Sequence, residues 1–219
     1  MIDITYPLDE HLLIYPGDPV YKAEWFLSMD KGDSCNVTNL TLGCHTGTHV
    51  DAPLHFLQGG KSLDEMDLDR LNGPVRVIEY FPETPGDISE AFLKKCHIQP
   101  GERVIFKTQN SCRFAGKNLL EDYVAFDLSG ARYLAQLGVA CLGIDYLTIE
   151  PKGSDGSVHR EILGAGIPVV ETLDLRKVSG GGYEMVCLPL RLSGREASPV
   201  RALLKPLDMA PGAAHKDKV

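Results

Sequence analysis

The sequence holds no run of lysines or arginines, and its formal net charge is −8. A nucleic-acid backbone would be repelled by such a chain, which excludes that class of partner. No uninterrupted apolar segment approaches the roughly 20 residues that a membrane helix needs. The opening MIDITYPLDEHLL places acids where a secretion signal requires positive charge, so a cytoplasmic protein without membrane contact is expected. The six cysteines, Cys35, Cys44, Cys96, Cys112, Cys141 and Cys187, include no C-x-x-C pair. Several lie inside apolar runs, which predicts free, mostly buried thiols and not a disulfide framework. The chain also lacks a P-loop and a Gly-x-Ser-x-Gly elbow, and Gly164-x-Gly166 has no third glycine. Nucleotide cradling and a serine nucleophile both lose their usual settings.

What is present suits a soluble domain. The 219 residues are 43% hydrophobic and 24% charged, enough for one substantial core. A single domain is expected over 1–205, with 206–219 (PLDMAPGAAHKDKV) as a polar tail that carries His215. Short Val/Ile/Leu-rich segments bounded by Gly or Pro read as strands at 74–81, 102–109, 139–147, 167–175 and 184–192. Capping signals predict helices over 62–71 from the box Ser62-Leu63-Asp64-Glu65, over 88–96 opened by Asp87 and Glu90, and over 129–138 from Ser129 to Gly138. The alternation through the middle of the chain gives an α/β fold with a mixed sheet.

The densest chemistry lies in HTGTHVDAPLH, residues 45–55, which takes three of the seven histidines. In the approach VTNLTLGCH, Leu40, Leu42 and Cys44 alternate with polar residues, which predicts a half-buried strand with His45 on its polar face. His45, His49, Asp51 and His55 all occupy odd positions, so an extended chain would aim them to one side, while Gly47 and Pro53 force a bend. Neutral imidazoles and a carboxylate suit Zn²⁺, Mn²⁺ or Fe²⁺, and two His with one Asp leave positions open for water and substrate.

Ligands from elsewhere are needed to complete such a site. His11 and His97 sit in polar, loop-like surroundings, whereas His159 lies in DGSVHREILGAGIPVVE, twelve residues before Glu171. Glu171 interrupts the apolar run IPVVETL, and a solitary buried carboxylate costs several kcal/mol unless paired or metal-bound. Glu161, beside Arg160, reads as part of a solvated face.

Together these residues resemble the cyclase-like metal-dependent hydrolases, a family that includes bacterial kynurenine formamidase and isatin hydrolase. The motif H-x-G-T/A-H-x-D-x-P-x-H is matched at every fixed position by 45–55, and the distal pair by His159 and Glu171. YPGDP (15–19) and LPLRLSGREASPVRALL (188–204) extend the likeness over nearly the whole chain. The resemblance implies a swivelling β/β/α domain in homodimers or larger oligomers. It also implies two zinc ions, or one manganese in some relatives, acting on a small-molecule substrate. His45, His49 and Asp51 would hold one metal, Asp51 and Glu171 would bridge, and His159 would hold the second. His55 would be the general acid/base. The implied reaction is hydrolysis of a small amide, open or cyclic, by hydroxide formed on the metal. One departure concerns substrate binding: kynurenine formamidases typically carry Trp before Pro-Gly-Asp, where this chain has Tyr15, and its sole tryptophan is Trp25. Tyr15 still offers an aromatic face.

Two other readings of the residues stand beside this one. His49, Asp51 and His159 mimic the facial triad of non-haem iron oxygenases, although no Arg-x-Ser lies about ten residues after His159 to hold an oxoacid and His45 and His55 are left unexplained. A structural metal in a non-catalytic protein would favour a closed, Cys-rich set, unlike this one.

Overall fold

In the computed structural model, residues 1–83, 86–114, 117 and 119–207 are described. The elements in chain order are β1 (Ile2–Asp3), β2 (Lys22–Leu27), β3 (Val37–Thr41), β4 (His49–Asp51), β5 (Gly73–Tyr80), α1 (Glu90–Lys95), β6 (Arg103–Thr108), α2 (Asn110–Phe114), α3 (Leu128–Leu137), β7 (Cys141–Ile144), α4 (Ser157–Gly164), β8 (Val169–Glu171), β9 (Gly181–Pro189) and β10 (Ala197–Pro206). The large sheet runs β1-β10-β4-β8-β7-β6-β5-β9, and β9 pairs back onto β10, so seven strands close into a barrel and β1 adds outside the ring. Strands β5 to β8 pair in parallel and the other contacts are antiparallel. This is the mixed-sheet α/β fold expected, with the sheet closed on itself.

Alternation along the strands divides the apolar residues into two cores. Val75, Val77, Ile105, Val170, Met185 and Leu204 fill one, inside the ring. Ile78, Val104, Phe106, Leu142, Ile144 and Val169, on the opposite faces of the same strands, pack against Leu134 of α3 and Ile162 of α4. The helices therefore cover the outside of the barrel.

All five expected strands are present, but two are shorter than the apolar runs that announce them. After Ile144 the chain leaves the sheet because Asp145 turns to accept from the Thr108 and Ser111 amides. After Glu171 the strand stops because Thr172 takes a left-handed φ of 57°. The helix expected over 62–71 is instead two short 3₁₀ turns, Leu63–Glu65 and Leu68–Arg70. The capping box forms, yet Asp64 is drawn to the Gly194 amide and the Leu63 amide to the Arg195 carbonyl, which pulls the segment onto the barrel rim. Helix α1 starts from Ser89, since Asp87 accepts from the Ala125 amide, and α3 starts from Asp127, which accepts from the Gly130 amide. Gly138 closes α3 in the left-handed region as expected, at φ 72°.

The segment before the metal motif also differs from expectation. Strand β3 ends at Thr41 and is exposed along its whole length, paired only with the exposed β2 in a two-stranded ribbon. Alternation there marks an arm with two wet faces, not a half-buried strand. Of the six thiols, all free, only Cys141 and Cys187 are buried, Cys44 and Cys96 are half-buried, and Cys35 and Cys112 are exposed, so "mostly buried" was too broad an expectation. Among the described residues no helix is long and apolar enough to cross a membrane. Strand β10 runs to Pro206 and so takes in the first residue of the expected tail 206–219, of which 208–219, with His215, lies outside the described residues.

Candidate metal centre

Sheet register assembles the first part of the centre. In β4, His49 and Asp51 are two apart and share a face, and His49 stands opposite Glu171 of β8. Between them, Val50 pairs with Val170, and both point into the barrel core. His49, Asp51 and Glu171 therefore project outward, toward the helices. There α4 supplies His159 from its first turn, with Nε2 3.1 Å from Glu171 Oε1 and 3.8 Å from Asp51 Oδ2.

The flanking bends bring in the remaining histidines. His45 lies in the turn before β4, with Nδ1 3.0 Å from Asp51 Oδ1. Gly47 adopts φ 68°, and a Cβ there would come within 2.6 Å of Leu8 Cδ2, so the bend between the two histidines requires glycine. Its carbonyl accepts from His49 Nδ1 at 2.8 Å, which turns Nε2 toward Asp51 and Glu171. Thr48 Oγ1 donates to the Thr172 carbonyl and accepts from the Tyr6 amide, tying β4 to the residue after Glu171. His55 ends a 3₁₀ turn begun by Pro53, its ring centroid 4.2 Å from that of His45 and 5.8 Å from that of His159.

Two overlapping groups result, His45–His49–Asp51 and Asp51–His159–Glu171, each with its donor atoms within 4.8 Å of one another. Asp51 belongs to both and His55 to neither. The groups divide the alternative facial triad, because His49 and His159 fall in different sets. His49, Asp51, His159 and Glu171 are at most 3% exposed. His49 Nε2 and both Asp51 oxygens lack any hydrogen-bond partner although imidazole nitrogens or carboxylate oxygens lie 3.0 to 3.8 Å away. Buried donors aimed at a common point without hydrogen-bond geometry fit a divalent cation.

Electrostatics point the same way. Burial disfavours charge on His49, but Asp51 and Glu171 outweigh it and raise the ring to about 9. Burial likewise opposes charge on His159, while Glu150, Glu171 and Asp51 raise it to about 10. Desolvation would raise Asp51 and Glu171, yet the imidazoles around them hold both below the usual carboxylate range. The centre is a cage that favours positive charge. His55 differs: burial, helped by His45 and His159, pushes it below the ordinary imidazole value in spite of Asp51. It is the one imidazole of the four whose charged form the surroundings disfavour.

The centre opens on a cleft of about 370 Å³ walled by Tyr15, Asp18, Phe56, Leu147 and Gly153. Tyr15 stands half-exposed at the mouth, where its carbonyl accepts from the Asp18 amide in the turn of YPGDP. His11 and His97 are exposed and outside the cleft, and Glu161 faces Arg132 at the surface. Three residues of the site escape the sequence reading. Phe56 stacks on His159 with centroids 4.5 Å apart, Glu150 accepts from His159 Nδ1 at 3.1 Å, and Glu196 lies 3.5 Å from His45 Nε2. Glu150 carries a faint signal, as the acid that follows the mostly apolar run YLTI.

With this geometry in view, the cyclase family model matches residues 2–151. The chain belongs to the cyclase family. Among curated relatives, the kynurenine formamidase of Bacillus thuringiensis subsp. konkukian (strain 97-27) is 32% identical over 207 residues, covering 94% of this chain and 97% of that one. Among solved structures, a predicted metal-dependent hydrolase from Bacillus stearothermophilus superposes with a TM-score of 0.80 at 31% identity, over 93% of this chain and 96% of the other. Isatin hydrolase A from Ralstonia solanacearum shares the fold at a TM-score of 0.78 and 22% identity, over 93% and 90% of the two chains. The cyclase-family fold thus accounts for nearly the whole molecule.

Proposed function

We propose that the protein is a metal-dependent hydrolase of the kynurenine formamidase type, cleaving the C–N bond of a small aryl amide in the cytoplasm. The observation that carries the reading is the pairing of a buried cage of imidazoles and carboxylates with one further histidine, His55, that belongs to neither ligand group yet lines the same cleft. The extent of the likeness to a kynurenine formamidase supports it. An open cleft beside the cage speaks for catalysis and against a purely structural metal.

His45, His49 and Asp51 would hold one ion and Asp51, His159 and Glu171 another; imidazole and carboxylate donors suit zinc best, with manganese next. Such an ion supplies Lewis acidity toward the carbonyl and lowers the pKa of water toward neutrality. The chain's own residues do the rest. His55, neutral at pH 7, takes the proton of the attacking water and returns it to the departing nitrogen, so one water is added across the C–N bond. Tyr15 and Phe56 offer aromatic faces to an aryl substrate at the mouth and floor of the cleft. A homodimer or larger assembly is supported by the exposed ribbon of β2 and β3, which leaves Trp25, Phe26 and Leu40 more than half in solvent.

The test is formation of kynurenine from N-formyl-L-kynurenine by purified protein, beside chelator-treated and Zn²⁺- or Mn²⁺-restored samples. Turnover that disappears with the metal and returns with it is expected. Protein that contains metal but leaves the formamide intact would reject the substrate, and isatin-like rings would be assayed next. Turnover that survives metal removal would reject the mechanism.

A further inference from the structure

We infer that Glu150 is a positioning residue of the centre, holding His159 so that Nε2 faces Asp51 and Glu171. Glu150 is only 9% exposed, and His159 is its one ion-pair partner among the described residues. Its Oε1 accepts twice from the same residue, from the His159 amide at 2.6 Å and from Nδ1 at 3.1 Å. Its Oε2 is held by the Ser154 hydroxyl. Phe56 covers the ring face, parallel to within 10°. With Nδ1 engaged on one edge and one face packed, the ring can offer only Nε2 to the cage, the pattern in which a carboxylate fixes a metal-binding histidine.

Capping of α4 is the competing explanation. The N-cap, Gly156, has no side chain, and Glu150 fills that role for the His159 amide. Capping alone does not require the Nδ1 contact, nor does it explain why a carboxylate stays buried without a Lys or Arg. A cation beyond His159 would supply that balance.

The inference rests on His159 being a metal ligand, as proposed above, and not on the identity of the substrate. The test measures Zn²⁺ affinity and stoichiometry by chelator competition, with zinc alone as the probe, in the wild type and in Glu150→Ala, Glu150→Gln and Ser154→Ala. Thermal unfolding of the metal-free forms serves as the control. Glu150→Ala is expected to weaken one of two zinc ions by about 10- to 100-fold, the usual effect of removing such a partner, while the other is retained. Glu150→Gln keeps an oxygen for both His159 donors but no charge, so an intermediate loss is expected. Ser154→Ala removes one hydrogen bond from the carboxylate, and a loss of about fivefold is expected. If Glu150→Ala does not fold, the glutamine and Ser154 variants decide. Variants that are less stable without metal but bind both ions as the wild type does would reduce Glu150 to a helix cap and overturn the inference. A wild-type protein that takes up no zinc would sink the metal reading first, and this inference with it.

Discussion

Asp51→Asn is the substitution that tests the shared ligand most directly. The amide is close in size and shape to the carboxylate, so β4 and its packing are kept while the negative charge is removed. Asp51 oxygens lie 3.0 Å from His45 Nδ1, 3.4 Å from His49 Nε2 and 3.8 Å from His159 Nε2. At an effective dielectric of about 20, a unit charge about 3.4 Å away contributes roughly 5 kcal/mol, which is more than three orders of magnitude in affinity. A third of that would still cost about tenfold for each unit of positive charge. Because Asp51 belongs to both groups, the variant is expected to lose both ions, whereas His45→Ala or His159→Ala loses one each. The assay is elemental analysis of metal per chain after dialysis against a weak chelator, with thermal unfolding to show that each variant is folded. An Asp51→Asn protein that keeps one tightly held metal would refute the shared-ligand reasoning.

Three other changes probe separate parts of the molecule. His55→Ala is expected to retain its metal and lose at least about a hundredfold in kcat on whichever amide is turned over, the scale of acid–base catalysis; loss of metal would make His55 a ligand. Thr172 is a buried β-branched residue at φ 57° with no partner for its hydroxyl, a conformation costing on the order of 1–3 kcal/mol. Thr172→Asn, similar in volume and tolerant of that region, is expected to raise Tm by a few degrees; a fall instead would show that methyl packing outweighs the strain. Asp145 is fully buried, and desolvation raises it to about 6 despite hydrogen bonds from Ser111 and Thr108. A raised folded-state pKa gives stability that is complete below the unfolded value near 3.8 and is lost as pH rises through about 6, on the order of 3 kcal/mol. Between pH 4 and 6.5, urea unfolding of Asp145→Asn should therefore lack a downward slope that the wild type shows. Parallel pH profiles would place the Asp145 pKa near its ordinary value.

The ligand candidates were legible because metal chemistry leaves local marks. A carboxylate amid apolar residues, as at Glu171, or an imidazole and a carboxylate at alternating buried positions, as at His49 and Asp51, violate the patterning that strands otherwise obey, and each violation needs a compensating partner. The β4–β8 register converts those two marks into one centre. What stayed hidden depends on contacts that no local pattern encodes. Strand β10 carries Pro199 where a strand should not, and it escapes notice because Pro199 sits where β10 changes partner from β4 to β9. The 62–71 segment has every sign of a helix, but the hydrogen bonds from the Gly194 amide to the Asp64 carboxylate and from the Leu63 amide to the Arg195 carbonyl override its propensity. Glu150 has the same difficulty from the functional side. Its place beside His159 exists only because residues 150–156 fold back across nine positions to the start of α4, so its role follows from a loop path and not from its neighbours in sequence. Ligands thus announce themselves by breaking a pattern, whereas the residues that aim them break none and emerge only when the chain is folded.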